Sequence, residues 1–110
     1  MRTVLYIVIC SAILTTVSAA WRVYTVDDFA IVGLDPAIAL DSEGQPRIAY
    51  PRDCYGAKYA QYNGVDWEIE YIYEEYLVSS GWYDIVVDSG DISHVVFLGT
   101  HMSGPTYAVQ

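Results

Sequence analysis

Residues 37–50, A-I-A-L-D-S-E-G-Q-P-R-I-A-Y, carry the clearest structural pattern in the chain. Two short apolar runs flank the polar segment D-S-E-G, which begins with an aspartate and ends with a glycine that tolerates a positive φ. This pattern is typical of a β-hairpin. It returns in residues 84–97 as D-I-V-V-D-S-G-D-I-S-H-V-V-F, where the pair Asp41-Ser42 recurs 47 residues later as Asp88-Ser89. The chain therefore contains an internal repeat built on a hairpin.

The repeat extends beyond the hairpin into the flanking segments. At spacings of 46 to 48 residues, W-R-V at 21–23 matches W-E-I at 67–69, F-A-I at 29–31 matches Y-L-V at 76–78, and Y-A at 59–60 matches Y-A at 107–108. Alternating and β-branched residues predict strands and no helix in this part of the chain. The predicted strands are residues 21–26, 36–40, 46–50, 57–62, 67–73, 83–87, 94–98 and 106–109. Tight turns are predicted at residues 41–45, 63–66 and 88–92.

The N-terminus is typical of a signal peptide. Residues 4–14 form an apolar run broken only by Ser11, and small residues follow that end in V-S-A-A. The run is shorter than the roughly 20 residues that a transmembrane helix needs. We therefore predict a signal peptide over residues 1–20, cleaved after Ala19 or Ala20, and a secreted chain in the extracellular or periplasmic space. The alternative is an uncleaved membrane anchor.

Charge and cysteine content exclude several classes of function. Fourteen acidic and five basic residues give a net charge of −9, which repels nucleic acid and anionic membrane surfaces. We therefore predict no nucleic-acid partner, and no membrane association after processing. Cys10 belongs to the predicted signal peptide, which leaves Cys54 without a disulfide partner in the same chain. No histidine neighbours Cys54 in sequence, so nothing marks it as a nucleophile.

The length of the repeat indicates how the predicted sheets pack against each other. A unit of 40 to 50 residues with four strands is the signature of a β-propeller blade. One twisted four-stranded sheet has two faces and cannot cover both by itself, whereas neighbouring sheets cover each other. We therefore predict an all-β chain of antiparallel four-stranded blades.

The repeat also resembles a known family. L-D-S-E-G-Q-P-R-I-A-Y at 40–50 and K-Y-A-Q-Y-N-G-V-D-W at 58–67 are similar to the blade repeat of secreted prokaryotic β-propellers of the WD-repeat-like and sialidase-like superfamily. The resemblance implies an incomplete propeller: a closing outer strand at 21–26, a full blade at 36–73 and three strands of a second blade at 83–109. The second unit departs from the pattern, with G-D-I-S at 90–93 where the first unit has E-G-Q-P.

About two blades are too few for a closed propeller, which has 4 to 8. Two explanations remain open. The chain is a truncated or partial propeller, or several copies assemble into a ring through their unpaired blades. In the second case, the strand at residues 21–26 of one copy completes the second unit of the next, and deletion of this strand changes the size of the assemblies.

Catalytic and metal-binding patterns are absent from the sequence. Gly64 and Trp67 match only the end of the aspartate box of sialidases, and we interpret them as turn and packing residues. The few arginines lie on different predicted elements and form no carboxylate-binding cluster. The histidines, His94 and His101, lack metal-ligand spacing. Asp41 and Asp88 are interpreted as turn residues. We therefore predict no catalytic residue, no metal and no cofactor.

Aromatic residues provide the candidates for ligand binding. Most of them alternate along strands and are predicted to pack between blades. Tyr55 in a predicted loop, and Trp82 and Tyr83 at the start of a strand, are the candidate ligand residues. We predict a non-catalytic binding or scaffold module for a protein or glycan partner. The alternatives are a non-catalytic part of a sialidase-like glycoside hydrolase, and a self-assembling structural repeat protein.

Overall fold

The structure is a computed structural model that describes residues 20–28, 35–52, 55–76, 82–98 and 104–110. The described chain is all-β, with antiparallel sheets of four and three strands and without helix, as predicted. The strands are β1 (Ala37–Leu40), β2 (Pro46–Pro51), β3 (Tyr55–Tyr62), β4 (Trp67–Tyr76), β5 (Tyr83–Val87), β6 (Ser93–Leu98) and β7 (Pro105–Val109). Within these residues, no helix has the length and apolar character needed to cross a membrane. The predicted signal peptide up to Ala19, Cys54 and His101 lie outside the described residues.

The first sheet has the strand order β1-β2-β3-β4, with each strand paired to the next in the chain. The predicted turn at residues 41–45 is confirmed: the Asp41 amide donates to the Gln45 carbonyl at 3.0 Å. The Asp41 carboxylate in turn accepts hydrogen bonds from the amides of Glu43 and Gln45, both at 2.9 Å. Gly44 has a φ of 75°, which a glycine adopts without steric cost. Asp41 is therefore a turn residue, as interpreted from the sequence.

The second sheet, β5-β6-β7, repeats this hairpin. Its Asp88 carboxylate accepts hydrogen bonds from the amides of Gly90 at 2.8 Å and Ile92 at 3.1 Å. Asp91 occupies the position of Gly44, and its φ of 58° is left-handed like that of the glycine. Aspartate is among the few non-glycine residues that tolerate this conformation. The turns predicted at residues 88–92 and 63–66 are thus both present.

The core lies between the two sheets. Small side chains on the first sheet, Ala49 and Ala57, are fully buried against Ile85, Val95 and Phe97 of the second. Ala37 and Ala39 of β1 pack against the same cluster. Because alanine side chains are short, the two sheets approach closely and their side chains interdigitate. The repeat-related sheets therefore pack face to face.

Some predicted boundaries need correction. Tyr55 lies at the start of β3 rather than in a loop, and β2 includes Pro51. The β3–β4 ladder has an irregularity at Gly56, whose φ is 84°. A Cβ there would lie 2.5 Å from the carbonyl oxygen of Tyr73, so the close approach of β4 requires a glycine.

The outer strand predicted at residues 21–26 is not formed: residues 20–28 are irregular. Asp27 follows this segment directly and accepts hydrogen bonds from Tyr50 at 2.9 Å and Lys58 at 2.7 Å. Both side chains lie on the face of the first sheet that points away from the second sheet, since strand side chains alternate and Ala49 and Tyr59 point toward it. The segment is thus held on the outward face of the first sheet, and it does not pair with β7 of the same chain.

Candidate functional site

A buried polar cluster joins the two sheets beside the hairpin turns. Arg47 of β2 is 5% exposed and lies 3.6 Å from the Asp41 carboxylate of its own sheet. Its Nη1 crosses to the second sheet and donates to the Asp91 carbonyl at 2.6 Å, the Ser93 hydroxyl at 2.8 Å and the Gln110 side chain at 3.3 Å. The planar guanidinium suits this arrangement because it offers several donors in a fixed fork. Arg47 therefore makes polar contacts with both sheets.

Asp91 fastens the two turns to each other. Its carboxylate accepts hydrogen bonds from the Ser42 amide at 2.8 Å and from the Ser42 hydroxyl at 2.5 Å. These two hydrogen bonds, and the nearby charge of Arg47, lower the pKa of Asp91. The left-handed backbone of Asp91 aims its side chain at the first sheet. The second unit thus has Asp91 where the first unit has Gly44, and the Asp91 side chain connects the two turns.

The lowered pKa of Asp91 predicts a pH effect on stability. A carboxyl group with a lowered folded-state pKa contributes fully above its ordinary value of 3.8, and its contribution is lost as the pH falls through the folded-state pKa. We expect Asp91→Asn to unfold at a lower urea concentration than wild type at about pH 6, and the difference to shrink toward about pH 3. Urea titrations monitored by circular dichroism at the two pH values measure this difference.

A second variant separates the proposed hydrogen bonds from a general charge effect. Ser42→Ala removes the hydroxyl donor and leaves every charge in place, so it is expected to reproduce part of the loss at about pH 6. Asp88 also has a lowered pKa, chiefly through its hydrogen bond with His94, and it titrates in the same direction in all three proteins. A difference between wild type and Asp91→Asn that stays constant with pH would contradict the assignment.

On its outer side, the second sheet has residues that match members of the buried polar cluster in the repeat. His94 occupies the place of Arg47, and Tyr107 that of Tyr59. His94 Nε2 lies 2.8 Å from the Asp88 carboxylate, and Nδ1 lies 2.6 Å from the Tyr107 hydroxyl. Because the carboxylate accepts, Nε2 carries a proton and donates to Asp88. Because Arg47 and Asp41 hold the same positions in the first unit, we interpret this chain of hydrogen bonds as a positioning network.

The outer side of the second sheet forms an exposed apolar surface, which we call the open face. It comprises Asp84, Val86, His94, Val96, Tyr107 and Val109, which alternate with the core residues of β5, β6 and β7. Asp84 pairs with Val96 and places an exposed carboxylate on this face. Val86, Val96, Tyr107 and Val109 are between 42% and 59% exposed. A hollow of about 290 Å³ adjoins it, lined by Trp82, Val96, Phe97, Leu98 and Pro105. Contiguous apolar surface of this kind marks binding sites in soluble proteins.

The structure separates the residues that the sequence grouped as ligand candidates. Trp82 is 78% exposed beside the open face. Tyr83 points to the opposite side and stacks on Phe97, with ring centroids 5.9 Å apart. Its hydroxyl is buried without a hydrogen-bond partner among the described residues, and burial raises its pKa to about 12. The side chain of Tyr55 lies outside the described part of the chain. Of the two candidates whose side chains the structure describes, Trp82 lies on an exposed surface and Tyr83 does not.

Sequence reasoning did not single out Arg47, Asp91 or Tyr107. A signal existed for each: His94 aligned with Arg47, the second turn departed from the repeat at Asp91, and Tyr59 recurred as Tyr107. In the described ranges, no group of three or more histidine, cysteine, aspartate or glutamate side chains could hold a metal ion. Comparison of the chain with protein-family models, with curated proteins and with solved structures gives no match.

Proposed function

We propose that the chain is a secreted, non-catalytic module of β-propeller blades that binds a partner through the open face. One observation carries the proposal. The open face holds the residues that match, position by position, the face of the first sheet that is buried against the second: Ala39 matches Val86, Ala49 matches Val96, and Tyr59 matches Tyr107. A surface built like a buried sheet interface but exposed is expected to be covered when the protein functions.

A second feature supports the interpretation as blades. The second sheet ends at β7, where the first sheet continues to β4. Between the two sheets at this place lies a cavity of about 350 Å³, lined by β4 residues such as Glu70 and Ile72 and by Ala108 and Gln110 at β7. Among the described strands, β7 is the edge of the second sheet, so no strand of that sheet lies opposite β4. This difference supports the proposal of one complete and one incomplete blade.

A protein partner fits the open face better than a small ligand does. Its exposed valines and Tyr107 spread over all three strands of the second sheet, as the contact side of a flat interface does. The Trp82 hollow supports a second candidate, a glycan, because an exposed tryptophan beside apolar side chains offers a stacking surface.

Binding measurements with three variants test the proposed function. Val96→Glu places a charge in the centre of the open face, Trp82→Ala empties the hollow, and Val65→Glu adds the same charge at a 78% exposed turn residue as the control. Immobilised chains are exposed to secreted proteins of the source cells and to a glycan array. We expect wild type and Val65→Glu to retain one partner that Val96→Glu binds at least about 10-fold more weakly.

The glycan candidate predicts instead that a sugar is lost in Trp82→Ala while protein binding persists. The prediction that the chain is non-catalytic is tested by hydrolysis of a fluorogenic sialoside. Turnover that scales with the concentration of the chain would contradict a non-catalytic module. Binding that is equal in all three variants and wild type would contradict the assignment to the open face.

A further inference from the structure

We propose that the partner of the open face is the first sheet of a second copy of this chain, bound head to tail in the way that the two sheets of one chain pack. The inference rests on the proposed function and gives its partner. It is argued from the interface between the two sheets of one chain, because the repeat provides a matching pair of surfaces between two copies.

The internal interface defines both halves of the contact. Ala39 and Ala49 on the first sheet face Ile85 and Val95 on the second, which are 6% and 3% exposed. The repeat places Val86 and Val96 of the open face in the positions of the two alanines. It also places Ile38 and Ile48, on the outward face of the first sheet, in the positions of Ile85 and Val95. One copy therefore presents one half of this interface on the open face and the other half on the outward face.

The outward face of the first sheet is available for such a contact. Ile38 and Leu40 of β1 are 64% and 60% exposed, whereas Ile85, which matches Ile38, is buried. The neighbouring part of this face is occupied by Asp27, which binds Tyr50 and Lys58. The exposed apolar residues Ile38 and Leu40 thus lie on β1, the edge strand of the first sheet, which matches β5 in the repeat.

The polar half of the internal interface is not repeated between copies. The first unit has Gly44 and Pro46 where the second has Asp91 and Ser93, so neither the carboxylate nor the hydroxyl that binds the first sheet is present. The contact between copies therefore depends on apolar side chains and is weaker than the contact within a copy. Because each copy carries a net charge of −9, added salt screens the repulsion, and we expect association to increase between about 0.05 and 0.5 M sodium chloride.

A head-to-tail contact is heterologous, since different surfaces of the two copies meet. It produces a ring where the rotation between units closes, and open filaments otherwise. Each copy contributes two units, so a ring of 4 to 8 units contains two to four copies.

Complementary variants of the full chain test the contact. Val96→Glu damages the open face and Ile38→Glu the outward face, while Val65→Glu is the matched control at a distant turn. Each damaged variant alone is expected to be monomeric in analytical ultracentrifugation, with a dissociation constant raised at least about 10-fold. An equimolar mixture of the two is expected to give a dimer and nothing larger, because one intact open face then meets one intact outward face. Wild type and Val65→Glu are expected to form the larger assemblies.

The other outcomes overturn the proposal. Assembly of Ile38→Glu alone, with Val96→Glu monomeric, would indicate a contact between two open faces. A mixture that stays monomeric, or wild type that is monomeric at tens of micromolar in about 0.5 M salt, would exclude a second copy as the partner. Assembly that is equal in all variants would indicate an association elsewhere in the chain. Circular dichroism verifies that each variant is folded. Loss of a different secreted partner in Val96→Glu would leave the proposed function intact while this inference fails.

Discussion

Replacing Arg47 with alanine is expected to lower the free energy of unfolding by about 3 kcal/mol, because removal of one charge of a buried ion pair leaves the opposite charge uncompensated. The Arg47 side chain is 6% exposed and that of Asp41 11%. The variant would leave the Asp41 carboxylate without its cation, and would remove a donor from the Asp91 carbonyl and from Ser93. Urea titration followed by circular dichroism measures the change.

Two further variants serve as controls for Arg47→Ala. Arg22→Ala removes the same type of side chain from an exposed position and is expected to change stability by less than about 0.5 kcal/mol. Arg47→Lys keeps the charge but loses the planar fork that reaches several acceptors, so its stability is expected to lie between wild type and Arg47→Ala. An Arg47→Ala protein as stable as Arg22→Ala would show that the polar cluster does not hold the sheets together.

The Arg47 cluster also shows what the sequence could and could not predict. Asp41, Gly44 and their counterparts in the second unit predicted both hairpin turns, since turn chemistry is local and depends on a few neighbouring residues. The strands followed from alternation and β-branched residues for the same reason. The contact of Arg47 with Asp91 and Ser93 joins residues more than 40 positions apart, and no local pattern encodes such a distance.

Residues 20–28 form no strand within the single chain, although their sequence predicts one. The segment W-R-V-Y-T-V alternates like a strand, but a strand also needs a partner edge. The contacts of Asp27 with Tyr50 and Lys58 fix the end of the segment on the outward face of the first sheet, where it pairs with no strand edge of the described chain. Trp21 and Val23 are accordingly 98% and 91% exposed.

The candidate site was predictable in part. Trp82 and Tyr83 are adjacent, so the sequence grouped them as ligand residues, but Trp82 precedes β5 with a φ of 149° whereas Tyr83 begins the strand. Which of the two sides of the second sheet is covered depends on where the first sheet lies, and this is a property of the whole fold. Tyr83 consequently packs in the interior and Trp82 lies beside the open face.

Replacing Phe97 with alanine is expected to lower the free energy of unfolding by about 3 to 5 kcal/mol, the range for truncating a buried aromatic residue. Phe97 is 2% exposed, and its ring contacts Tyr83 at 5.9 Å and Tyr73 at 5.5 Å between centroids. Tyr73 belongs to the first sheet, so the alanine variant leaves a cavity at the inter-sheet contact. Val96→Ala is the matched control, because Val96 is the next residue on the same strand but is 42% exposed.

The same variant tests whether the two sheets unfold together. Trp67 lies in β4 of the first sheet and Trp82 beside β5 of the second. Proteins in which Trp21 and one of these two tryptophans are replaced by phenylalanine therefore report on one sheet each by fluorescence. If the Phe97 contacts couple the sheets, both reporters show one shared urea transition in wild type, and that transition moves to lower urea in Phe97→Ala. Separate transitions already present in wild type, with the Trp67 transition unaffected by Phe97→Ala, would show that the first sheet is stable without the second. The inter-sheet contacts would then be too weak to serve as the pattern for a contact between copies.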